Sequence, residues 1–311
     1  MRFLALLIGL FGLTLAIPAE AQKIDTVPRT AVITAFPPEW AALAHSVTDP
    51  VERRVNGLLI LTGTIAGRPV VLMQSGISMV NAAMNTQLLL DRFAVTRIVF
   101  SGIAGGVDPA LAIGDVVVPE RWGQNFEVAY ARETADGYAP PTGLPGGTDL
   151  PNHGALFPRD VLVGNATDPV VERRWFAADP ALLALARRIG ATVALDRCLP
   201  AKAGEAPHCL EHTPNVIVGG HGVSGPAFVD NAGYRRYLAE IYQARVVDME
   251  SAAVAQVAYA NQIPFVVFRS VSDLAGGDAG PNRMLVFMGL AADNSAHLLR
   301  AFVAALDADA P

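Results

Sequence analysis

Apolar residues in this chain come in short unbroken blocks, which alternate with longer stretches where they recur every three or four places. The first block, Thr30 to Ala35, reads as a buried strand and ends at Phe36-Pro37-Pro38, where two prolines stop regular pairing. Proline suits a first helical turn, so a helix is predicted to open at Glu39. Leu58 to Ile65 and Pro69 to Ser75 are apolar strands joined through Ala66-Gly67-Arg68 in a hairpin turn. Val80 to Phe93 has helical spacing, and Arg97 to Ser101 is a buried strand that runs into a glycine turn. Farther on come a helix at Pro180 to Ile189, strand-like Asn215 to Val218 and the Val223 to Val229 segment. A helix near Tyr234 to Tyr242 and a strand at Arg245 to Val247 follow. Glu250 to Asn261 is apolar nearly all round, which predicts a buried helix. Pro264 to Asp273 reads as an apolar strand, and Met284 to Leu306 as the final helix. Strands alternating with helices predict an α/β protein.

Between Arg121 and Pro158 this pattern dissolves into Gly, Pro, Asp and aromatic residues, including Pro140-Pro141 and Leu144-Pro145-Gly146-Gly147. A loop this long in a compact domain is usually functional or disordered. Trp122, Phe126, Tyr130, Tyr138 and Phe157 argue against plain disorder and for a lid or a dimer-contact insertion. No internal repeat or linker divides the chain.

The first residues stand apart from the fold. Arg2 precedes an apolar run from Phe3 to Ile17, and Ala19-Glu20-Ala21 places small residues at cleavage spacing. That reads as a secretory signal peptide over 1–21, with the mature chain starting at Gln22 and a periplasmic or secreted destination. The competing reading is a membrane anchor, but the run is shorter than the roughly 20 residues a span needs. The remaining residues, 22–311, are long enough for one large domain with a sizeable core. Lys and Arg number 23 against 29 Asp and Glu, and the basic residues are scattered pairs rather than a stripe, which excludes a nucleic-acid polymer as partner. The two cysteines, Cys198 and Cys209, lie in one loop-like stretch. In an oxidising compartment a disulfide is the plain reading. Free thiols, or a metal site with His208 and His212, remain alternatives, although the spacing fits no standard zinc pattern.

Candidate chemistry gathers late in the chain. The strand Pro264 to Asp273 delivers a carboxylate at its end, just after a second acidic motif, Val247-Asp248-Met249-Glu250. In α/β proteins ligands collect at the carboxyl ends of the strands, so two acids brought there are candidates for acid/base work on one small molecule.

These motifs also carry a family likeness. Val247-Asp248-Met249-Glu250-Ser251-Ala252-Ala253, followed by Pro264-Phe265-Val266-Val267-Phe268-Arg269-Ser270-Val271-Ser272-Asp273, resembles the C-terminal signature of the nucleoside phosphorylase superfamily. The branch it is most similar to is 5′-methylthioadenosine/S-adenosylhomocysteine nucleosidase. Gln74 to Ala83, Ser101 to Gly106 with Ile113 to Val118, and Ala35-Phe36-Pro37-Pro38-Glu39 agree in order, whereas about 121–214 matches poorly and reads as an atypical insertion. The resemblance implies a three-layer α/β/α sandwich with a twisted mixed central sheet, a homodimer, a purine nucleoside as ligand and no metal or organic cofactor.

Cleaving an N-glycosidic bond needs a proton on the departing purine, a polar clamp on the sugar and a held water. By resemblance Asp273 protonates purine N7 and Ser272 steadies it. Glu39 activates water, while Glu250 and Met249 hold the ribose, with Asp248 where relatives often carry Glu. Phe36 sits beside the 5′ substituent. Phe228 stacks on the purine, and the backbone of Val229 reads its edge. Gly102, Ile103 and Ala104 let backbone approach the ligand. Phosphorylase relatives commonly hold phosphate with polar groups at the positions of Phe100 and Ile103; apolar side chains there favour water over phosphate. His153 and His221 read as loop or surface residues. A phosphate-dependent phosphorylase and a non-catalytic nucleoside-binding protein are the rival readings.

Overall fold

The computed structural model describes residues 23–199 and 207–306, so the signal-peptide reading lies outside the described residues. A mixed sheet of twelve strands runs through them. In chain order its strands are β1 (Asp25–Thr34), β2 (Thr48–Val55), β3 (Leu58–Ile65), β4 (Arg68–Gln74), β5 (Phe93–Gly106), β6 (Val116–Val118), β7 (Arg121–Gln124), β8 (Trp175–Ala177), β9 (Val216–Val218), β10 (His221–Ser224), β11 (Ala244–Asp248) and β12 (Phe265–Asp273). The helices are α1 (Pro37–Ala44), α2 (Met79–Arg92), α3 (Pro180–Gly190), α4 (Ala232–Ile241), α5 (Ser251–Ala260) and α6 (Met284–Ala304).

Strand order is β8-β7-β10-β11-β5-β1-β4-β3-β2, with a branch from β5 through β12 and β6 to β9. β5 is the branch point. It runs parallel to β1 along its first half and parallel to β12 farther on. Its last residues, Gly105 and Gly106, lie antiparallel to Val247 and Val246 of β11. Glycines in a strand let it bend where two sheet segments diverge. α6 packs on β12 and β5 and touches α1 and α3, whereas α2 and α5 pair with each other in a second helix layer. The core between them is Val-, Ile-, Leu- and Phe-rich, and every residue of β12 is buried. That burial on both faces is why the sequence shows a continuous apolar run there.

The sequence and the structure differ in places that have physical causes. β5 continues as strand through the glycines that suggest a turn. β2 carries Glu52, Arg53 and Arg54 on a mostly exposed sheet edge, so apolar alternation does not mark it. β7 lies inside the stretch without regular pattern, yet it is built into the main sheet beside β10, with the Trp122 side chain fully buried. Beyond it the chain folds into three small antiparallel ribbons, which pair 128–130 with 156–158, 132–134 with 137–139, and 161–163 with 171–173. α3 starts where Asp179 accepts from Ala181 N and Leu182 N ahead of Pro180, a capped start with proline in the first turn. Cys198 and Cys209 are joined in a disulfide, so neither is a free thiol or a metal ligand. Among the described residues no helix is long and apolar enough to cross a membrane.

Candidate active site

One cavity, open to solvent, lies where the ends of β1, β5, β11 and β12 meet. Ala35, Phe36 and Glu39 come from the end of β1 and the first turn of α1. Ile103, Ala104 and Gly105 come from β5, and Val247 to Glu250 from the end of β11. Ser272 and Asp273 close β12, Ala227 to Val229 come from the loop after β10, and Ile77 and Met284 complete the rim. The structure thus brings together every sequence-predicted site residue except Gly102, which lies behind the wall.

Gly102 has a different task. It pairs in register with Arg269, whose guanidinium crosses it, and a Cβ at this position would fall 1.9 Å from Arg269 Nη1 and 2.3 Å from Glu39 Oε1. Glycine is needed here so that a charged side chain can pass, not so that a ligand can approach.

Arg269 is the residue that sequence reasoning passed over. It is fully buried, with its guanidinium carbon 4.1 Å from the centre of the Phe100 ring. Nε lies 2.7 Å from Asp248 Oδ2, Nη1 3.6 Å from Glu39 Oε1, and Nη2 3.7 Å from Glu250 Oε2. Nε and Nη2 also donate to Ser251 Oγ. A signal for it was present: an arginine inside a strand of otherwise apolar and small residues must find anionic partners, because an unpaired buried charge is very costly. Phe100 therefore backs the arginine and does not face the cavity.

Asp248 is spoken for by the same network. Its Oδ1 accepts from Ser224 Oγ, Glu250 N and Ser251 N, and its Oδ2 from Ser251 Oγ as well as Arg269. Although Asp248 borders the cavity, its lone pairs are committed to fixing β10, α5 and Arg269.

Glu39 is held rigidly: Oε2 accepts from Ala35 N at 2.6 Å and Oε1 from Ile103 N at 2.8 Å. Burial pushes its carboxyl above the ordinary range, opposed by Arg269 and these backbone donors. Burial, and then the Asp248 charge, push Glu250 up to about 8, with Arg269 opposing. Glu250 stands just ahead of α5 and its Oε1 accepts from Ser78 N at 2.8 Å. Ser78 takes φ 80°, a conformation that costs a non-glycine residue about 1 to 3 kcal/mol and here aims the N–H at Glu250. Three carboxylates share one guanidinium, so the cavity floor carries surplus negative charge wherever it is not protonated.

Asp273 sits at the other end of the β5 wall, with Oδ1 3.3 Å from where a Cβ on Gly105 would stand. Burial pushes its carboxyl up, while Ala275 N, Asn282 and Ser272 oppose by donating to it. Ser272 Oγ also lies 3.3 Å from Ala104 O, so its hydroxyl has a second acceptor to turn to. Phe228 lines the cavity with 54% of its surface exposed, an aromatic face that is not consumed by core packing. Phe36, Ile77, Ile103 and Met284 make the rest of the lining largely apolar. Among the described residues lining the cavity there is no lysine or arginine. His221 instead donates through Nδ1 to Tyr242 O and accepts through Nε2 from Arg121 Nη2, and His153 packs against Tyr234 and Tyr237.

Comparison with known proteins agrees with this geometry. The family model of the phosphorylase superfamily matches residues 29–304. A 5′-methylthioadenosine/S-adenosylhomocysteine nucleosidase from Mycobacterium bovis is 31% identical over 271 residues, covering 86% of this chain and 94% of that protein. A solved S. pneumoniae nucleosidase of the same name, with a transition-state inhibitor, superposes with TM-score 0.64 at 26% identity, covering 90% of this chain and 100% of its own. A Helicobacter pylori futalosine hydrolase shares the fold, with TM-score 0.65 at 21% identity and 90% of this chain covered. A mixed sheet with two helix layers, a cavity floored by paired acids and a family match across nearly the whole described chain lead to one conclusion: the chain belongs to the phosphorylase superfamily, among enzymes that are nucleosidases.

Proposed function

We propose that the chain is a purine nucleosidase that hydrolyses the N-glycosidic bond of adenosine-type or 5′-substituted nucleosides such as methylthioadenosine. The observation that carries this is the pair of buried acids at the two ends of one wall, Glu39 beside Ile103 and Asp273 beside Gly105. Asp273 gives its proton to the purine ring, and Ser272 turns its hydroxyl from Ala104 O to the new carboxylate. Glu250 holds the ribose hydroxyls and Met249 packs on the sugar. Each floor carboxyl that is ionised favours the positive charge that develops on the sugar carbon. Glu39, in the ionised form that Arg269 and the backbone donors of Ala35 and Ile103 favour, takes a proton from the attacking water. The logic is that of two carboxylates working on one glycosidic bond. Phe228 stacks on the base, and the apolar side formed by Phe36, Ile77 and Met284 suits an uncharged 5′ substituent.

Water, not phosphate, is the nucleophile in this reading, because the lining offers no basic side chain and Arg269 is tied to three carboxylates. The test is free-base release from adenosine, inosine, methylthioadenosine and S-adenosylhomocysteine, with and without phosphate. Release in phosphate-free buffer is expected, and release only with phosphate sinks the hydrolase. Asp273→Asn and Glu39→Gln are each expected to lose about 10²- to 10⁴-fold in kcat while remaining folded, the range of general acid–base catalysis. Unchanged turnover in either removes that residue from the mechanism.

Export to the periplasm or outside is part of the proposal. The Arg2 to Ala21 pattern supports it, and the Cys198–Cys209 bridge suits an oxidising compartment. A homodimer is supported by exposed Ile77, Val80 and Met84, which lead from the cavity rim along α2 and would be covered by a second copy. Sedimentation of the mature chain tests it, and a monomer throughout rejects it.

A further inference from the structure

Asp273 is gripped from outside the sheet by a residue that no catalytic motif marks. Asn282, in the segment between β12 and α6, donates through Nδ2 to Asp273 Oδ1 at 3.1 Å and to Asp230 Oδ1 at 3.2 Å. Its own Oδ1 accepts from Met284 N at 2.9 Å. That last bond fixes the orientation of the amide. A backbone N–H can only donate, so the carbonyl end faces α6 and the NH₂ end faces the two acids.

We propose that Asn282 is a positioning residue for the proton-transfer step, holding Oδ1 of Asp273 as the proton-free oxygen so that Oδ2 carries the proton that is given away. The inference rests on the nucleosidase reading above. Oδ1 accepts from both Ala275 N and Asn282, whereas Oδ2 has only Ser272 Oγ, which can turn to Ala104 O. An oxygen already facing two donors is a poor place for a proton. The acidic hydrogen is therefore directed to Oδ2. When the purine nitrogen takes it, the O–H bond breaks, an N–H bond forms and the electron pair stays on the carboxylate. Both bonds to Oδ1 then become charge-assisted and strengthen. An interaction stronger in the transition state than in the ground state accelerates the reaction.

Asn282 also connects that step to the base. Asp230 follows directly on Val229 in the loop that borders the cavity, and Met284 lines it from the other side. The charged groups around Asp273 are Asp278 on its own segment, Asp230 across Asn282, and Arg235 of α4, which lies against Gly277 and donates to Gly106 O. Arg269 and its carboxylates lie at the Glu39 end of the wall.

Two substitutions separate a clamp from a simple helix cap. Asn282→Ser keeps an oxygen that accepts from Met284 N but is one atom too short to reach Asp273; Asn282→Ala removes both contacts. Adenine release is measured for kcat and KM across the acid-to-alkaline range, with thermal unfolding on the same samples. Both variants are expected to lose about 10- to 100-fold in kcat with KM little changed, the factor that one hydrogen bond to a charged group supplies. The alkaline limb of the kcat profile moves to higher pH in both, because a donor that favoured the anion is gone, and only Asn282→Ala loses stability. Wild-type kcat and an unshifted limb in folded Asn282→Ser overturn the inference while the nucleosidase reading stands. A wild-type enzyme that releases no base overturns both.

Discussion

Arg269 shows how one side chain organises the cavity floor. Its guanidinium is buried against Phe100 and reaches Asp248, Glu39 and Glu250, yet Nη1 has no hydrogen-bond partner among the described residues. Removing it strands carboxylates whose charge nothing else balances. Arg269→Met is expected to cost about 3 to 5 kcal/mol of stability, the usual loss when one partner of a buried ion pair is deleted. Urea unfolding measures it, and the loss should shrink in acid, where the carboxyls take up protons. A pH-independent loss would mean that the arginine contributes packing alone. This residue also marks the limit of motif reading. Glu39, Glu250 and Asp273 stood out because acids at strand ends invite a chemical role, and the structure places all three on the cavity. Arg269 and Asn282 did not, because one lies behind the wall and the other in an irregular segment whose partners are distant in sequence.

At the scale of elements, legibility followed burial. β12 and α5 were readable because nearly every position faces protein, which leaves apolar runs, and α6 because its buried residues recur at helical spacing. β2 was not, since an exposed edge strand gains by carrying charge that discourages edge-to-edge pairing. β7 was hidden for another reason: it is four residues long and owes its place to partners on both sides, β10 and β8. Trp122 fills the space above Gly222 of β10, where an added Cβ would meet the indole ring at 2.6 Å. Gly222→Ala is therefore expected to destabilise the protein by about 1 to 3 kcal/mol through overpacking, read as a lowered thermal midpoint. The folded fraction should retain its kcat, since neither residue borders the cavity. An unchanged midpoint would show that β7 is free to shift away from β10.

The whole molecule carries its chemistry as a pH dependence of folding. Burial raises the proton affinity of Glu39, Glu250 and Asp273 above what they have in an unfolded chain. The sign is opposite to that of a salt-bridged surface acid. Between the ordinary glutamate value of 4.5 and about 8, folded Glu250 keeps a proton that the unfolded chain releases. The folded state binds more protons in that window, so stability must fall as pH rises through it, by about 1.4 kcal/mol per pH unit for each proton retained. Below the window both states are protonated, and above it both are ionised, so the slope from this residue vanishes at each end. Glu250→Gln keeps an oxygen for Ser78 N but cannot ionise, and it should flatten the slope by about one proton's worth. The measurement is urea unfolding of the ligand-free enzyme at a series of pH values, wild type beside Glu250→Gln. Stability that rises across the window in the wild type, or identical slopes in the two proteins, would mean that the floor is ionised throughout and that Arg269 alone balances it.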